Sequence, residues 1–456
     1  MSIIDSVRSG LINFLLGPAE PNQSVRVMEM QRRRNYREGR HEQTIRPKPG
    51  KTDDNVFINF SGLVIDRSIS MLFGNSVEFD LPGEGDDTPE DLYLTDLWDA
   101  NKKEIFLHRW GLLASEDGTG YIKTVPDGVI GKSGQLRARL VLIDPKWVTM
   151  DTSPEDFEEV IRYTIRFDTV GPDGKEIARK QVHSVQDNGT WMIEDYMASS
   201  GTGGRWELMQ SEVWPYDFPQ ILNNQNLPSA DDVYGVPDLT DDLIKLQNKI
   251  NFIASNINKI IRLHAHPKLL SYGLGTDNRD IISLDAGEML TANSGDAWLK
   301  TLELQSDLAS SSEFFKVLRQ SFFDVSRTVD IDSLGDKLGA LTNFGLRVLY
   351  QDAVNKIHTK QRLYGDALLE LNRRLLILAG LNPDPGEIIW PDALPVNGSD
   401  LSNELKTDIE IGILDRQTAT GLKGYDYQQV QDRLAEEQTV NGDITAALLR
   451  GFERGE

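Results

Sequence analysis

Gly128-Val129-Ile130-Gly131-Lys132-Ser133 is the stretch of this chain nearest to a phosphate-binding loop, with a glycine, a lysine and a hydroxyl in succession. A loop of the form G-x-x-x-x-G-K-[ST] needs its first glycine where Pro126 stands. The flanking residues read as two strands, so the helix N-terminus that would hold a phosphate is missing as well. The spacing favours a hairpin turn. His264-x-His266 offers two metal ligands, but no third His and no Cys stands near, and Pro267 marks a chain exit. Neither G-x-S-x-G nor H-E-x-x-H occurs, and His41, His108, His183 and His358 stand in no nucleophile–base spacing. Asp330 with Asp332, and Asp231 with Asp232, have the residue types for magnesium or for acid–base work. In a chain with 71 acidic residues such pairs are mostly solvated faces. No catalytic residue, metal or cofactor is therefore expected.

Composition narrows the classes further. The 456 residues exceed one core of ordinary size and suggest several lobes. A net charge of −23 disfavours tight, indiscriminate binding to nucleic acid by phosphate neutralisation. The absence of cysteine removes disulfides, thiolate metal sites and thiol nucleophiles, and fits an intracellular assembly site.

The elements that could position functional groups are mainly long helices. Leu239, Leu243, Leu246, Ile250, Ile253, Ile257 and Ile260 alternate four and three residues apart, which predicts a helix about 33 Å long with one narrow apolar seam. A second helix, over 309–328, offers Phe314, Phe315, Leu318, Phe322 and Val325 to that seam. A third, over 340–379, repeats the stripe at Tyr364, Leu368, Leu371, Leu375 and Leu378 and stops at Gly380. Between the first two lies a small mixed excursion, so the helices should run antiparallel with a head at their far end. The glycine-punctuated stretch 330–339 between the second and third reads as a mobile loop.

Ahead of these helices, residues 1–16 have the spacing of an amphipathic helix, read as docking on protein rather than on a membrane surface. Arg32, Arg33, Arg34, Arg37 and Arg40 form a basic cluster, read as a helix face paired with acidic neighbours. An apolar helix from Asn59 to Phe73 follows, with Gly74 and Asn75 as its stop. From Gly118 to Trp214 the period becomes two, which predicts a mostly antiparallel sheet region with a turn at Pro126-Asp127-Gly128 and a flexible tip near Ser199. The fold class is α+β. Residues 399–438 read as short acidic helices, and no stretch approaches the ~20 apolar residues of a membrane span.

Several of these pieces, in this order, resemble the portal, or head-to-tail connector, proteins of tailed double-stranded DNA phages. Tyr36-Arg37-Glu38-Gly39-Arg40-His41 resembles that family's Tyr-x-x-Gly opening. Asn59, Val64-Ile65-Asp66 and Leu72-Phe73-Gly74-Asn75 resemble the segment that follows it. Ile143-Asp144-Pro145 with Val148, and Phe218-Pro219 with Asn223-Asn224, resemble its later strands. Gly235-Val236-Pro237-Asp238-Leu239, with Leu243, Ile244 and Asn248, resembles the start of its first stem helix. The similarity covers most of residues 30–380 and thins beyond them.

The resemblance implies a layout. Residues 1–25 would be an N-terminal segment, 26–237 an α/β wing, 238–262 and 309–328 the two antiparallel stem helices, and 263–308 a small α/β clip. Residues 329–339 would be a tunnel loop, 340–380 a long wing helix, and 381–456 a helical crown and tail. Asp330, Asp332, Ser333, Leu334, Asp336 and Lys337 would face DNA. Lys268, Arg279, Asp280, Asp285 and Glu288 of the clip would dock adaptors or terminase. Leu239, Leu243, Leu246, Ile250, Ile253, Ile257, Ile260, Phe314, Leu318 and Phe322 would pack the stem.

The implied protein is not an enzyme and carries no cofactor. About twelve copies would close a ring at one capsid vertex, through which double-stranded DNA passes during packaging and ejection. Its partners would be the terminase large subunit, head–tail adaptors, and the capsid and scaffolding proteins; it would reside in the virion, and in host cytoplasm during assembly. Two other classes stay open: a packaging-associated nucleotide hydrolase or nuclease, and a membrane-associated or scaffold coiled-coil assembly protein.

Overall fold

Asn59 shows how the N-terminal helices are locked together. Its side-chain oxygen accepts from Gly62 N at 3.0 Å and caps helix α2 (Phe60–Phe73), while its amide nitrogen donates to Arg37 O at 2.8 Å, at the end of helix α1 (Pro21–Arg37). A Cβ on Gly62 would lie 2.7 Å from Arg37 O, so only glycine lets the two helix ends approach this closely. The computed structural model describes residues 21–46, 53–82, 88–170, 174, 176–199, 206–265, 268–272, 298–302, 308–331, 343–393, 398–423 and scattered positions to 434. It divides into two units, Met1–Pro391 and Asp392–Glu456.

In the first unit, Thr88 caps helix α3 (Pro89–Ala100), which opens with Pro89, Glu90 and Asp91, a start suited to both the free N–H groups and the helix dipole. Helix α4 (Lys103–Asp117) ends at Gly118, whose φ of +90° a side chain would strain. Strand β1 (Glu78–Asp80) lies before α3.

Strand β2 (Thr119–Ile130) leaves α4 directly and pairs antiparallel with β3 (Leu136–Leu142) and with β9 (Ile221–Gln225). Here the structure corrects the sequence reading. Pro126-Asp127-Gly128 is not the turn; β2 continues through it, and the register shifts between Pro126 and Ile130. Proline has no N–H for the ladder, and the irregularity takes up that defect without ending the strand. The hairpin closes at 131–135, where Gly131 N donates to Gln135 O.

The remaining strands form an antiparallel meander in chain order: β4 (Val148–Thr152), β5 (Val160–Val170), β6 (Glu176–Val185), β7 (Trp191–Ser199) and β8 (Glu207–Trp214). Tyr163 and Ile165 of β5 point into a core with Val148, Trp191, Trp214, Phe218 and Ile221. The tip expected near Ser199 falls between β7 and β8, and its residues 200–205 lie outside the described residues.

Helices α5 (Asp241–Ala265) and α6 (Leu308–Ser326) flank an antiparallel pair of strands, β10 (Lys268–Tyr272) and β11 (Trp298–Leu302). The single helix expected over 340–379 is two: α7 (Asn343–Leu349) and α8 (Gln351–Ala379), interrupted at Tyr350, whose ψ of 0° leaves the helical region. Tyr364, Leu368, Leu371 and Leu375 are buried along α8, which ends at Gly380 in the left-handed conformation. Strand β12 (Glu387–Ile389) then returns to pair with β1.

The second unit contains α9 (Gly398–Glu410) and α10 (Arg416–Leu422), the latter capped by Asp415, which accepts from Thr418 N at 2.6 Å. The N-terminal segment 1–16 lies outside the described residues. Among the described residues no helix is long and apolar enough to cross a membrane.

Candidate functional site

The apolar stripe of α5 is one of two faces that the helix uses. Leu239, just ahead of it, and Leu243 and Ile250 within it are buried with Tyr36, Val64, Ile65 and Ile69 and with Phe322 and Phe323 of α6. Because the last turn of α6 meets the first turns of α5, the two helices run antiparallel. Leu246 and Leu318 pack at the margin of this core.

Gln247, Asn251, Ser255, Asn258 and Arg262 form the second face, at helical spacing. They bind the backbone of an extended segment that runs along the helix. Gln247 Nε2 donates to Ile58 O at 2.7 Å, and Ile58 N donates to Asn251 Oδ1 at 3.1 Å. Val56 N donates to Ser255 Oγ at 2.9 Å, Asn258 Nδ2 donates to Asp54 O, and Arg262 clamps both Asp54 oxygens at 2.7 Å. These polar side chains replace strand pairing for a segment that belongs to no sheet. The four- and three-residue spacing of these polar residues is the sequence signal for this second face, beside the apolar stripe.

The Tyr36 to His41 motif feeds the same helix. Tyr36 Oη donates to Asn248 Oδ1 at 2.7 Å. His41 stacks on the Tyr36 ring with centroids 4.9 Å apart, accepts from Asn251 Nδ2 at Nδ1, and donates from Nε2 to Tyr36 O. Burial lowers the His41 pKa, in keeping with a neutral ring that accepts at one nitrogen and donates at the other. This histidine is a structural clamp.

At the base of the helix pair, Asp238 is buried against two lysines of α8. Lys360 Nζ lies 2.5 Å from one carboxylate oxygen and Lys356 Nζ 2.9 Å from the other. Burial opposes ionisation of Asp238, but the two ammonium groups outweigh it and hold its carboxyl well below the usual range. Burial pushes Lys360 down to about 8, against the pull of Asp238. Its ammonium also donates to Ser68 Oγ at 2.8 Å and Ser115 Oγ at 3.2 Å. Asp238 belongs to the Gly235-Val236-Pro237-Asp238-Leu239 motif of the sequence, but nothing local in the sequence marks Lys356 and Lys360 as its partners.

The basic cluster does pair with acidic neighbours. Arg34 binds Asp117 and reaches Asp144 at 2.7 and 2.9 Å, while Arg37 bonds Asp66 at 3.2 Å and lies 3.5 Å from Glu116. Burial and the neighbouring Asp117 push Glu116 up to about 7, with Arg34 and Arg37 opposing. Arg32 is paired to Glu29 and Glu42.

Other positions of interest are dispersed. Asp330 is bound by Arg319 at 2.6 Å, at the foot of the stretch that continues as 332–342. Asp332, Ser333, Leu334, Asp336 and Lys337 lie outside the described residues, as do Arg279, Asp280, Asp285, Glu288 and His266. Lys268 begins β10. Ile253, Ile257 and Ile260 are only half-buried, and Phe314 is 50% exposed.

Lys132, in the phosphate-loop lookalike, sits in the β2–β3 turn and its backbone N–H donates to Asp96 Oδ2 at 2.9 Å, which ties the turn to α3. His183 is buried and pushed down to about 3 by that burial and by Lys123. Among the described residues no group of three or more His, Asp or Glu is placed to hold a metal ion.

What these residues build is a scaffold, in which ion pairs, caps and helix seams fix the elements relative to one another. The model of one family, described as phage portal protein, SPP1 Gp6-like, matches residues 18–442, and the chain belongs to that family. No curated protein matches it.

Proposed function

We propose that this chain is the repeating subunit of a portal ring, about twelve copies closing around an axial channel at one capsid vertex. Double-stranded DNA enters through the channel, driven by a separate terminase ATPase, and leaves by it later. Residues 238–262 and 309–328 are then the stem, residues 263–308 the clip that docks terminase and afterwards head–tail adaptors, and 329–339 the tunnel loop.

The observation that carries this reading beyond family membership is the outward side of α6. Phe314, Val317 and Val325 share one side of that helix by their spacing and are 50%, 52% and 47% exposed. Burying the exposed half of each such side chain contributes roughly 1 kcal/mol, so a neighbouring copy would be stabilised at every interface of the ring. The half-buried outer part of the α5 stripe supports the same reading. A net charge of −23 suits a conduit that must let DNA slide, since every phosphate neutralised adds a salt-sensitive attachment.

Glycine or alanine replacements across 332–337 test the assignment of the loop. DNA packaging or retention should drop while rings still assemble; a failure of ring formation would contradict it.

A further inference from the structure

A cavity of about 300 Å³ opens between the middle of α2, the end of α6 and the start of α8. Its walls bring together Arg67, Arg327 and Lys356, three cations in a chain with net charge −23. Asp66 is the one acid on the wall, and Arg37 already binds it at 3.2 Å.

Each cation has capacity to spare. Arg67 donates one N–H to Val329 O at 2.7 Å, out of five that a guanidinium carries. Lys356 faces Ser326 O and Asp238, and Asp238 is shared with Lys360, so two ammonium groups are balanced by one carboxylate. Arg327 is exposed, and its guanidinium bonds to none of the described residues. Its backbone lies at φ +55°, the left-handed position that ends α6, where Thr328 N donates back to Phe323 O at 3.0 Å. The rest of the wall combines the hydroxyl residues Ser68, Ser70 and Thr328 with an apolar and aromatic part that includes Met71, Ile357 and Tyr350.

We infer that this cavity binds a small phosphate ester, its oxyanion held by Arg67, Arg327 and Lys356 and its body packed against Met71, Ile357 and Tyr350. Guanidinium groups match phosphate oxygens with paired donors, and the apolar wall favours an ester over the free ion. The volume admits a mononucleotide-sized ligand and excludes a duplex. Bound there, the ligand would tie α2 and α8 to the end of α6.

Thymidine monophosphate, inorganic phosphate and thymidine serve as probes in calorimetric titration of the purified full chain. Thymidine monophosphate should bind saturably with a dissociation constant below about 1 mM, and the other two at least about tenfold more weakly. R327G removes the guanidinium while suiting the left-handed backbone, so it should fold normally and bind the ester about tenfold or more weakly. R67M should show the same loss. Equal binding of phosphate and ester would overturn the ester assignment. No saturable binding of the ester, or unchanged binding in a folded R327G, would overturn the site.

Discussion

Asp238 Oδ2 lies 2.5 Å from Lys360 Nζ with neither side chain exposed, so the entry to α5 is tied to the middle of α8 by a fully buried charge pair. Breaking such a pair from one side leaves an uncompensated buried charge, which typically costs 3–5 kcal/mol. D238N leaves both Lys356 and Lys360 without a counter-charge and should destabilise the fold by about that amount in denaturant titration. K360M leaves Asp238 with Lys356 and should be clearly milder. Equal effects would mean that Lys356 does not balance Asp238.

The polar face of α5 makes a separate claim. N251A removes the acceptor of Ile58 N and the donor to His41, leaving buried backbone polarity unmet. A loss of about 1–3 kcal/mol is expected, together with faster amide exchange at Ile58. Unchanged exchange there would show that the extended segment is held by other contacts.

Glu116 supplies a pH dependence, among Arg34 and Arg37 of α1, its neighbour Asp117, and Asp144. Its value of about 7 in the fold lies above its ordinary 4.5, so the folded chain holds this proton more tightly than the unfolded chain does. The resulting stability is full below pH 4.5 and is lost as pH rises through about 7. The stability of the native chain relative to E116Q should thus fall by about 3 kcal/mol between those limits, read from denaturant midpoints. A flat difference would contradict the assignment.

Much of the fold was legible where the signal is local. Gly380 as a stop and the apolar positions from Leu239 to Ile250 are each set by neighbours within a turn or two of helix, whereas Asn59, read as the first residue of its helix, is the cap ahead of it. The pairing of the arginine cluster with acids was legible in kind, but Asp117 and Asp144 as the partners of Arg34 were not, because they are far away along the chain. Asp238 was harder still. The motif that names it is local, and only tertiary packing brings Lys356 and Lys360 onto it. Pro126 misled for the opposite reason, since a strong local turn signal was absorbed by an irregularity in a strand that pairs with β3 before and after it.

Assembly itself is open to direct measurement, by native mass combined with end-on particle images of the purified chain and of a variant carrying F314D and V317D. The native chain should form closed rings of one copy number with an axial opening. The variant should lose rings while keeping the circular dichroism of the folded subunit. A native chain that stays monomeric at micromolar concentration, or a doubly substituted chain that forms the same rings, would contradict a portal built through the outward side of α6.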